Sequence, residues 1–102
     1  MSVRLIIHAD FEDDLNDIAA YYEARRRGLG DAFITSVDAA MDGLAEEPRL
    51  SNTSRLKTRS VRTRRFPYLI HFRIMPDHVF VFSLLHGRRG PSALRRILRE
   101  RT

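Results

Sequence analysis

Apolar residues recur at helical spacing in two stretches of the first half of the chain. In the first stretch, offsets of 4, 7, 8 and 11 residues from Phe11 place the apolar positions on one face of an α-helix. The first stripe is Phe11, Leu15, Ile18, Ala19 and Tyr22. The second stripe is Phe33, Val37, Ala40, Met41 and Leu44. The pattern predicts two amphipathic helices, and the short connection at residues 28–30 predicts that they form an antiparallel hairpin.

The residues at the expected ends of these helices suit those positions. Asp10 is a typical N-cap, the basic residues 25–27 suit a helix C-terminus before Gly28, and the second helix should begin near Asp31 and end at Pro48. Four further acidic residues of the first helix are expected on its solvent face, the earliest of them next to the positive end of the helix dipole. They are Glu12, Asp13, Asp14 and Asp17.

Four stretches of the chain have the composition or the alternation of β-strands. They are residues 3–8, 59–65, 66–74 and 79–85. The stretch 79–85 is apolar on both faces, which is typical of an interior strand. Pro76 and Asp77 suit a turn between the last two strands, and the polar residues 49–58 suit a loop.

The strongest alternation lies in residues 66–74. It places Tyr68, Ile70 and Phe72 on one face, which we expect the helices to cover. His71 and Arg73 fall on the other face, which we expect to be open and basic.

The order of the elements is strand, helix, helix, three strands and a tail. This order predicts an α+β fold, in which an antiparallel helical hairpin packs on one face of a mostly antiparallel four-stranded sheet. After Pro91, residues 92–101 carry apolar positions on one side and arginines on the other, which predicts a short amphipathic helix. We expect a single domain over residues 1–102, with a core at 1–90 and an amphipathic tail at 91–102.

The composition excludes several classes of protein. Of the 102 residues, 43% are hydrophobic and 30% charged, which is the balance of a folded chain rather than a disordered one. The chain has no cysteine, so disulfides, thiolate catalysis and cysteine-ligated zinc are excluded. The start of the chain does not resemble a signal peptide, and no apolar run approaches the roughly 20 residues of a membrane span. We therefore expect a cytoplasmic protein without a metal or cofactor.

The charge of the chain is divided unevenly between its halves. Residues 1–48 hold 4 basic and 11 acidic side chains, whereas residues 49–102 hold 14 basic and 2 acidic ones. All 18 basic residues except Lys57 are arginine, whose planar guanidinium matches phosphate and carboxylate groups. The second half therefore predicts a basic face for an anionic partner, although such runs are also typical of a solvated surface.

Of the four histidines, His86 is the strongest candidate for chemistry. It ends the interior strand and is followed by Gly87, Arg88 and Arg89. A histidine beside arginines could act as a general acid or base on a phosphodiester, and it could equally cap the strand by hydrogen bonding. His71 is expected on the basic face, and both His8 and His78 are expected to be solvated.

Several short motifs stand in an order that is more specific than any one of them. They are His8-Ala9-Asp10, Tyr21-Tyr22-Glu23, Gly28-Leu29-Gly30, Phe66-Pro67-Tyr68 and Leu85-His86-Gly87-Arg88-Arg89. With them, the chain resembles the RelE/ParE superfamily of bacterial type II toxins over about residues 3–91, and within it the ParE-like, or plasmid stabilisation, branch. The predicted order of elements agrees with the fold that this resemblance implies.

The resemblance implies two kinds of partner. One is a cognate antitoxin with a partly disordered, acidic and apolar segment that binds the toxin in a hetero-oligomer. The other is the cellular target, because ParE-like members poison DNA gyrase whereas RelE-like members cleave mRNA in the ribosomal A site.

The nuclease pattern of RelE-like members transfers poorly to this chain. Leu69 stands where such nucleases carry an arginine, and Leu94 stands where they often carry a tyrosine. This favours a ParE-like toxin that acts by binding to gyrase and is not itself an enzyme. The alternatives are a ribosome-dependent mRNA endoribonuclease that uses His86, Arg73 and Arg88, and a decayed toxin that retains only antitoxin binding.

The residues expected to bind the target or another anion come from the basic second half. They are Arg62, Arg64, Arg65, His71, Arg73, Arg88 and Arg89.

Overall fold

The computed structural model describes residues 3–53 and 57–102, which form three helices and one sheet. The helices are α1 (Ala9–Arg25), α2 (Leu29–Glu46) and α3 (Pro91–Arg101). The strands are β1 (Leu5–Ile7), β2 (Asn52–Thr53), β3 (Arg59–Arg62), β4 (Tyr68–Ile74) and β5 (Val79–His86). None of the described helices combines the length and the apolar character that a membrane-spanning helix requires.

The strands are arranged in the order β1-β5-β4-β3-β2. The pairing of β1 with β5 is parallel and the other three pairings are antiparallel. The predicted α+β fold and the mostly antiparallel sheet are confirmed, and the four predicted strands are present. The predicted loop at residues 49–58 is only partly correct, because it contains a 3₁₀ turn at Pro48–Leu50 and the two-residue strand β2 at the sheet edge. Residues 54–56 of that loop lie outside the described residues.

Both helices of the hairpin begin earlier than their sequence signals suggest. His8, rather than Asp10, is the N-cap of α1, because its Nδ1 accepts a hydrogen bond from the backbone N–H of Asp10 at 3.0 Å. Gly28 is the N-cap of α2 and has a left-handed backbone (φ 86°), which lets the chain reverse within the three residues between the helices.

The turn of the hairpin is held by the carboxylate of Glu23. It accepts hydrogen bonds from the backbone N–H groups of Gly28, at 3.0 and 3.1 Å, and of Gly30, at 3.0 Å. These hydrogen bonds hold the pKa of Glu23 below its usual value, because they stabilise the ionised carboxylate.

The two helices approach each other closely at Gly30, and this predicts the effect of a methyl group there. A Cβ on Gly30 would lie 2.7 Å from the backbone oxygen of Ala19, whereas a Cβ on Gly43 would meet nothing within 4 Å. Gly30→Ala should therefore lower the free energy of unfolding by about 1–3 kcal/mol, because the helices must separate. Gly43→Ala, the control in the same helix, should raise it by about 0.5–1 kcal/mol. Urea denaturation of both variants measures the difference, and equal effects would contradict the close approach.

The main apolar core lies between the hairpin and one face of the sheet. Phe33, Ile70 and Phe72 are fully buried there. Tyr68 is half-buried and packs against the same cluster. The expectation that Tyr68, Ile70 and Phe72 face the helices is therefore confirmed.

The opposite face of the sheet is not open, which corrects the expectation for His71. On this side α3 contributes Leu94 and Leu98 to a second apolar cluster with Phe82. The pairing of β4 with β5 shifts by one residue between His71 and Phe72, and this brings Phe82 and Ser83 next to His71. His71 is only 6% exposed, and its ring centre lies 6.4 Å from that of Phe82.

Arg101 anchors the end of α3 to α1. Its Nη1 lies 2.8 Å from a carboxylate oxygen of Asp14 and donates at 2.8 Å to the backbone oxygen of Phe82. Its Nε lies 3.7 Å from a carboxylate oxygen of Asp10. The Arg101 side chain is only 13% exposed, and its contacts with Asp14 and Phe82 hold the helix beside β5. The Asp10 side chain is 55% exposed.

Candidate functional site

Five exposed arginines are brought together at one end of the sheet. They come from the end of β3, the turn before β4 and the turn after β5. We call this surface the basic rim, and it consists of Arg62, Arg64, Arg65, Arg88 and Arg89.

One backbone hydrogen bond joins the two turns that carry the basic rim, and two side-chain hydroxyl groups brace the first of them. The N–H of Gly87 donates to the oxygen of Pro67 at 2.7 Å. The hydroxyl of Thr63, which is buried, donates to the oxygen of Phe66 at 3.0 Å. The hydroxyl of Ser36 in α2 donates to the oxygen of Arg64 at 2.5 Å, which ties the first turn to the hairpin. The rim is therefore carried on a fixed backbone.

Arg65 has a strained backbone within this turn. Its φ is 72°, a value that residues other than glycine rarely adopt. Its guanidinium lies 5.6 Å from the ring centre of Phe66, so the charged group is held against the edge of the core. Strain of this kind is concentrated at binding and catalytic sites, which makes this turn a candidate contact surface.

Two of the predicted anion-binding residues do not belong to the basic rim. His71 is buried, and Arg73 is half-buried near the other end of β4. Tyr68 pairs with His86, and Arg73 lies five residues further along the strand, or about 17 Å away at the rise of a strand. The structure therefore does not bring Arg73 to His86 and Arg88, the other two residues named for a nuclease.

Burial changes the protonation of His71. It lowers the pKa of this imidazole to about 4, because the charged form would be removed from water. Within the described residues, His71 Nδ1 and the hydroxyl of Ser83, its partner in the strand register, have no hydrogen-bond partner. His71 is therefore neutral at pH 7 and has no access to an anionic ligand.

His86 lies at the boundary of the rim and is engaged in a local hydrogen bond. Its Nδ1 accepts from the backbone N–H of Arg88 at 3.1 Å, and its ring centre lies 5.2 Å from that of Tyr68. This hydrogen bond is the capping role that the sequence allowed as an alternative to catalysis. It leaves Nε2 as the ring nitrogen that could contact a ligand.

A groove adjoins the rim between α1, the end of β5 and α3. Two cavities of about 480 and 400 Å³ share Asp17, Ile18, Tyr68 and His86, so they form one continuous depression. We call it the Tyr68 groove. At one end it reaches Tyr21 and Arg25, and at the other it reaches the anchored residue Arg101.

Both walls of the Tyr68 groove carry charged side chains. Asp14 and Asp17 lie on the α1 side, and the other charged lining residues are Arg89, Arg96, Glu100 and Arg101. Arg101 pairs with Asp14, and Arg96 has a longer contact with Glu100. The floor is apolar and aromatic, and burial raises the pKa of Tyr68, which keeps its phenol neutral.

Comparison with known proteins identifies the family. Residues 5–91 match the family model described as the ParE toxin of the type II toxin–antitoxin system parDE. The chain belongs to the ParE toxin family. It is also 25% identical to Toxin ParE2 of Mycobacterium tuberculosis, in the strains CDC 1551 / Oshkosh and ATCC 25618 / H37Rv, over 100% of this chain and 98% of the relative.

A solved structure shares the fold of this ParE-family toxin. A chain of the chromosomal ParDE TA system from P. aeruginosa superposes with a TM-score of 0.73 at 13% sequence identity, covering 83% of this chain and 96% of that one. The resemblance to the ParE-like branch of the RelE/ParE superfamily is thus confirmed.

Sequence reasoning missed the acidic wall of the groove in this ParE-family toxin. Asp14 and Asp17 were both expected on a solvent face. Asp17 is exposed as expected, whereas Asp14 is half-buried and pairs with Arg101, and both line the groove. Their spacing of three residues, which places them on one side of a helix, was the available signal. The second wall was not visible from the sequence, because it requires α3 to fold back onto α1.

Proposed function

We propose that this ParE-family toxin acts in the cytoplasm by binding and inhibiting DNA gyrase, and that a cognate antitoxin neutralises it in a hetero-oligomer. In this proposal the target contacts the basic rim. Plasmid stabilisation, the role that gives this branch its name, would follow from the balance of toxin and antitoxin.

The observation that carries the proposal is a basic surface on which the residues of the described ranges, 3–53 and 57–102, assemble no set of acid and base groups. Cleavage of RNA through its 2′-hydroxyl needs a proton acceptor, a proton donor and a stabilising charge in one place. The rim supplies charge, but His71 is buried, Arg73 lies far from His86, and His86 Nδ1 is occupied by the N–H of Arg88.

The two departures from the nuclease pattern support the same proposal. Leu94 is buried on the sheet-facing side of α3 in the second apolar cluster, and Leu69 is half-buried in β4. Neither position can supply the tyrosine or the arginine of the nuclease pattern. A rim that binds without catalysis is the function that fits these residues best.

The proposal predicts that charge reversal on the rim will weaken gyrase inhibition. The double variant Arg64→Glu, Arg88→Glu should raise the toxin concentration that half-inhibits DNA supercoiling at least tenfold, because it replaces two cations with anions. The control Arg27→Glu, at an exposed position in the turn between α1 and α2, should leave the half-inhibiting concentration unchanged. Purified protein and a supercoiling assay measure both.

Expression without antitoxin separates the candidate targets. Inhibition of gyrase should produce DNA breaks and filamentous cells. Immediate arrest of translation with mRNA cut at A-site codons, lost in His86→Ala, would instead establish the ribosome-dependent nuclease. Normal growth together with unimpaired supercoiling would contradict both and indicate a decayed toxin.

A further inference from the structure

We infer that two copies of this chain associate through the outer edge of β1, where Leu5–Ile7 pairs antiparallel with the same residues of a second copy. The two-fold axis of this dimer passes between the two Ile6 residues. The inference goes beyond the proposed function and does not depend on it, because the edge shares no residue with the basic rim or the Tyr68 groove.

The backbone of β1 has one unoccupied edge. β1 is the outermost strand of the sheet and pairs on one side only, with β5. The backbone oxygen of Arg4 and the N–H of His8 both hydrogen-bond to β5, so even-numbered residues direct their backbone polar groups towards that strand. The N–H and C=O groups of Leu5 and Ile7 therefore point outwards. Within residues 3–53 and 57–102, these outward groups have no hydrogen-bond partner.

The outward groups are arranged symmetrically about Ile6, which makes the edge complementary to itself. When a second copy lies antiparallel, the N–H of Leu5 meets the C=O of Ile7 in the other copy, and the N–H of that Ile7 meets the C=O of Leu5. The symmetry repeats both contacts on the other side of the axis. The edge of an unpaired strand is a template for this kind of association.

The length of the edge favours a second β1 over a longer extended peptide. Before the strand, the N–H of Val3 already donates to the backbone oxygen of Ala45 at 2.8 Å. After the strand, the chain leaves the sheet and enters α1. A long peptide would find few further backbone partners beyond Leu5–Ile7, whereas a second β1 has the same length and turns away at the same points.

The side chains of this edge are apolar and exposed. Val3, Ile6 and Ile7 are 39%, 39% and 40% exposed, and they account for three of the five large exposed apolar residues in the described part of the chain. Such a concentration of apolar surface indicates an interface. In the dimer Ile6 meets Ile6 of the second copy on one face of the sheet, and Ile7 meets Leu5 of the second copy on the other.

The charges beside β1 favour the antiparallel orientation. Arg4 precedes the strand and Asp10 follows it, and their side chains are 65% and 55% exposed. Antiparallel pairing places Arg4 opposite His8 of the second copy, and the carboxylate of Asp10 lies 3.9 Å from Nδ1 of His8. Each Arg4 therefore lies beside an Asp10 of the other copy, whereas a parallel pairing would bring like charges together.

The dimer leaves the basic rim exposed. β1 pairs with Val79, Phe80 and Val81, the first residues of β5, whereas Arg88 and Arg89 of the rim follow the other end of that strand. The dimer therefore presents two rims.

Sedimentation equilibrium of the purified full-length chain over a concentration series tests the association. The mass should rise from 11.9 kDa towards twice that value. Ile6→Lys should raise the dissociation constant at least about tenfold, because two cations then face each other across the axis. Ile7→Pro should raise it by a similar factor, because it removes an N–H that is bonded only in the dimer. The control Tyr21→Lys, at an exposed apolar position outside β1, should stay within about twofold. Circular dichroism confirms that each variant is folded.

An introduced thiol tests the geometry of the pairing directly. The chain has no cysteine, so Ile6→Cys supplies a single thiol. The two residues at the axis form a non-hydrogen-bonded pair, whose Cα atoms lie about 4.5 Å apart, within the range that a disulfide spans. Mild oxidation should link most of the Ile6→Cys protein into covalent dimers. Tyr21→Cys, at a more exposed position, should remain largely monomeric and measures linkage by random collision.

Two results would overturn the inference. The first is a mass of 11.9 kDa at every concentration up to about 1 mM. If Ile7→Pro then weakens binding of a product of the flanking reading frames, a strand of that partner occupies the edge instead. The second is a dimer that Tyr21→Lys dissociates and Ile6→Lys does not, which would place the interface elsewhere. Neither result bears on gyrase inhibition, which the rim variants test separately.

Discussion

Replacement of Phe72 by aspartate is expected to unfold the protein. Phe72 is fully buried between the hairpin and the sheet, in the middle of β4. Removal of a buried phenylalanine side chain costs about 3–5 kcal/mol, and burial of an unpaired carboxylate adds several kcal/mol more. Together these losses approach or exceed the roughly 5–15 kcal/mol that stabilises a typical domain. Far-ultraviolet circular dichroism and a thermal melt should show no cooperative transition.

A control for this prediction lies three residues away. Met75→Asp introduces the same charge at a position that is 40% exposed, where the carboxylate remains hydrated. It should change the free energy of unfolding by no more than about 1 kcal/mol. A Phe72→Asp protein that melts like wild type would mean that Phe72 does not face the core.

The stability of the toxin is expected to fall by about 3 kcal/mol between pH 7 and pH 4 because of His71 alone. Burial lowers the pKa of His71 from 6.5 to about 4 in the folded protein. Between these two values the unfolded chain binds a proton that the folded protein does not bind. Protonation therefore favours the unfolded state, and stability is lost as the pH falls from about 6.5 towards 4.

A variant isolates the contribution of His71 from that of the carboxylates. Glu23 and Asp77 also have lowered pKa values, owing to hydrogen bonds, and their protonation destabilises the protein in strong acid. His71→Leu removes the imidazole and leaves both carboxylates in place. Urea denaturation at pH 7 and pH 4.5 should show a larger loss for wild type than for His71→Leu. Equal losses would contradict the low pKa of His71.

Residues 66–74 illustrate how far the sequence alone could predict the site. The alternation correctly separated Phe72 from His71, because neighbouring side chains of a strand point to opposite faces. It could not show that the second face is covered. The second face is covered because the bulge brings Phe82 beside His71 and because α3 packs on this side of the sheet.

The basic rim was predictable as a set of residues but not as a surface. Arg62, Arg64, Arg65, Arg88 and Arg89 were all named from the sequence, and the turns that carry them meet through the hydrogen bond from Gly87 to Pro67. Arg73 was grouped with them by its charge and by the alternation that placed it on the expected basic face. The register of β4 and β5 separates it from His86, and a register cannot be derived from composition.

The sequence by itself determined the three helices, the strands other than β2 and the inner face of β4, because hydrophobic periodicity reflects the geometry of each element. It also determined the family, through motifs distributed over most of the chain. Only the tertiary structure decided that the second sheet face is closed and that a groove exists. Both depend on α3, whose Arg101 contacts Asp14 across 87 positions of the chain. A contact of that range depends on how the elements pack, which no local pattern of residues encodes.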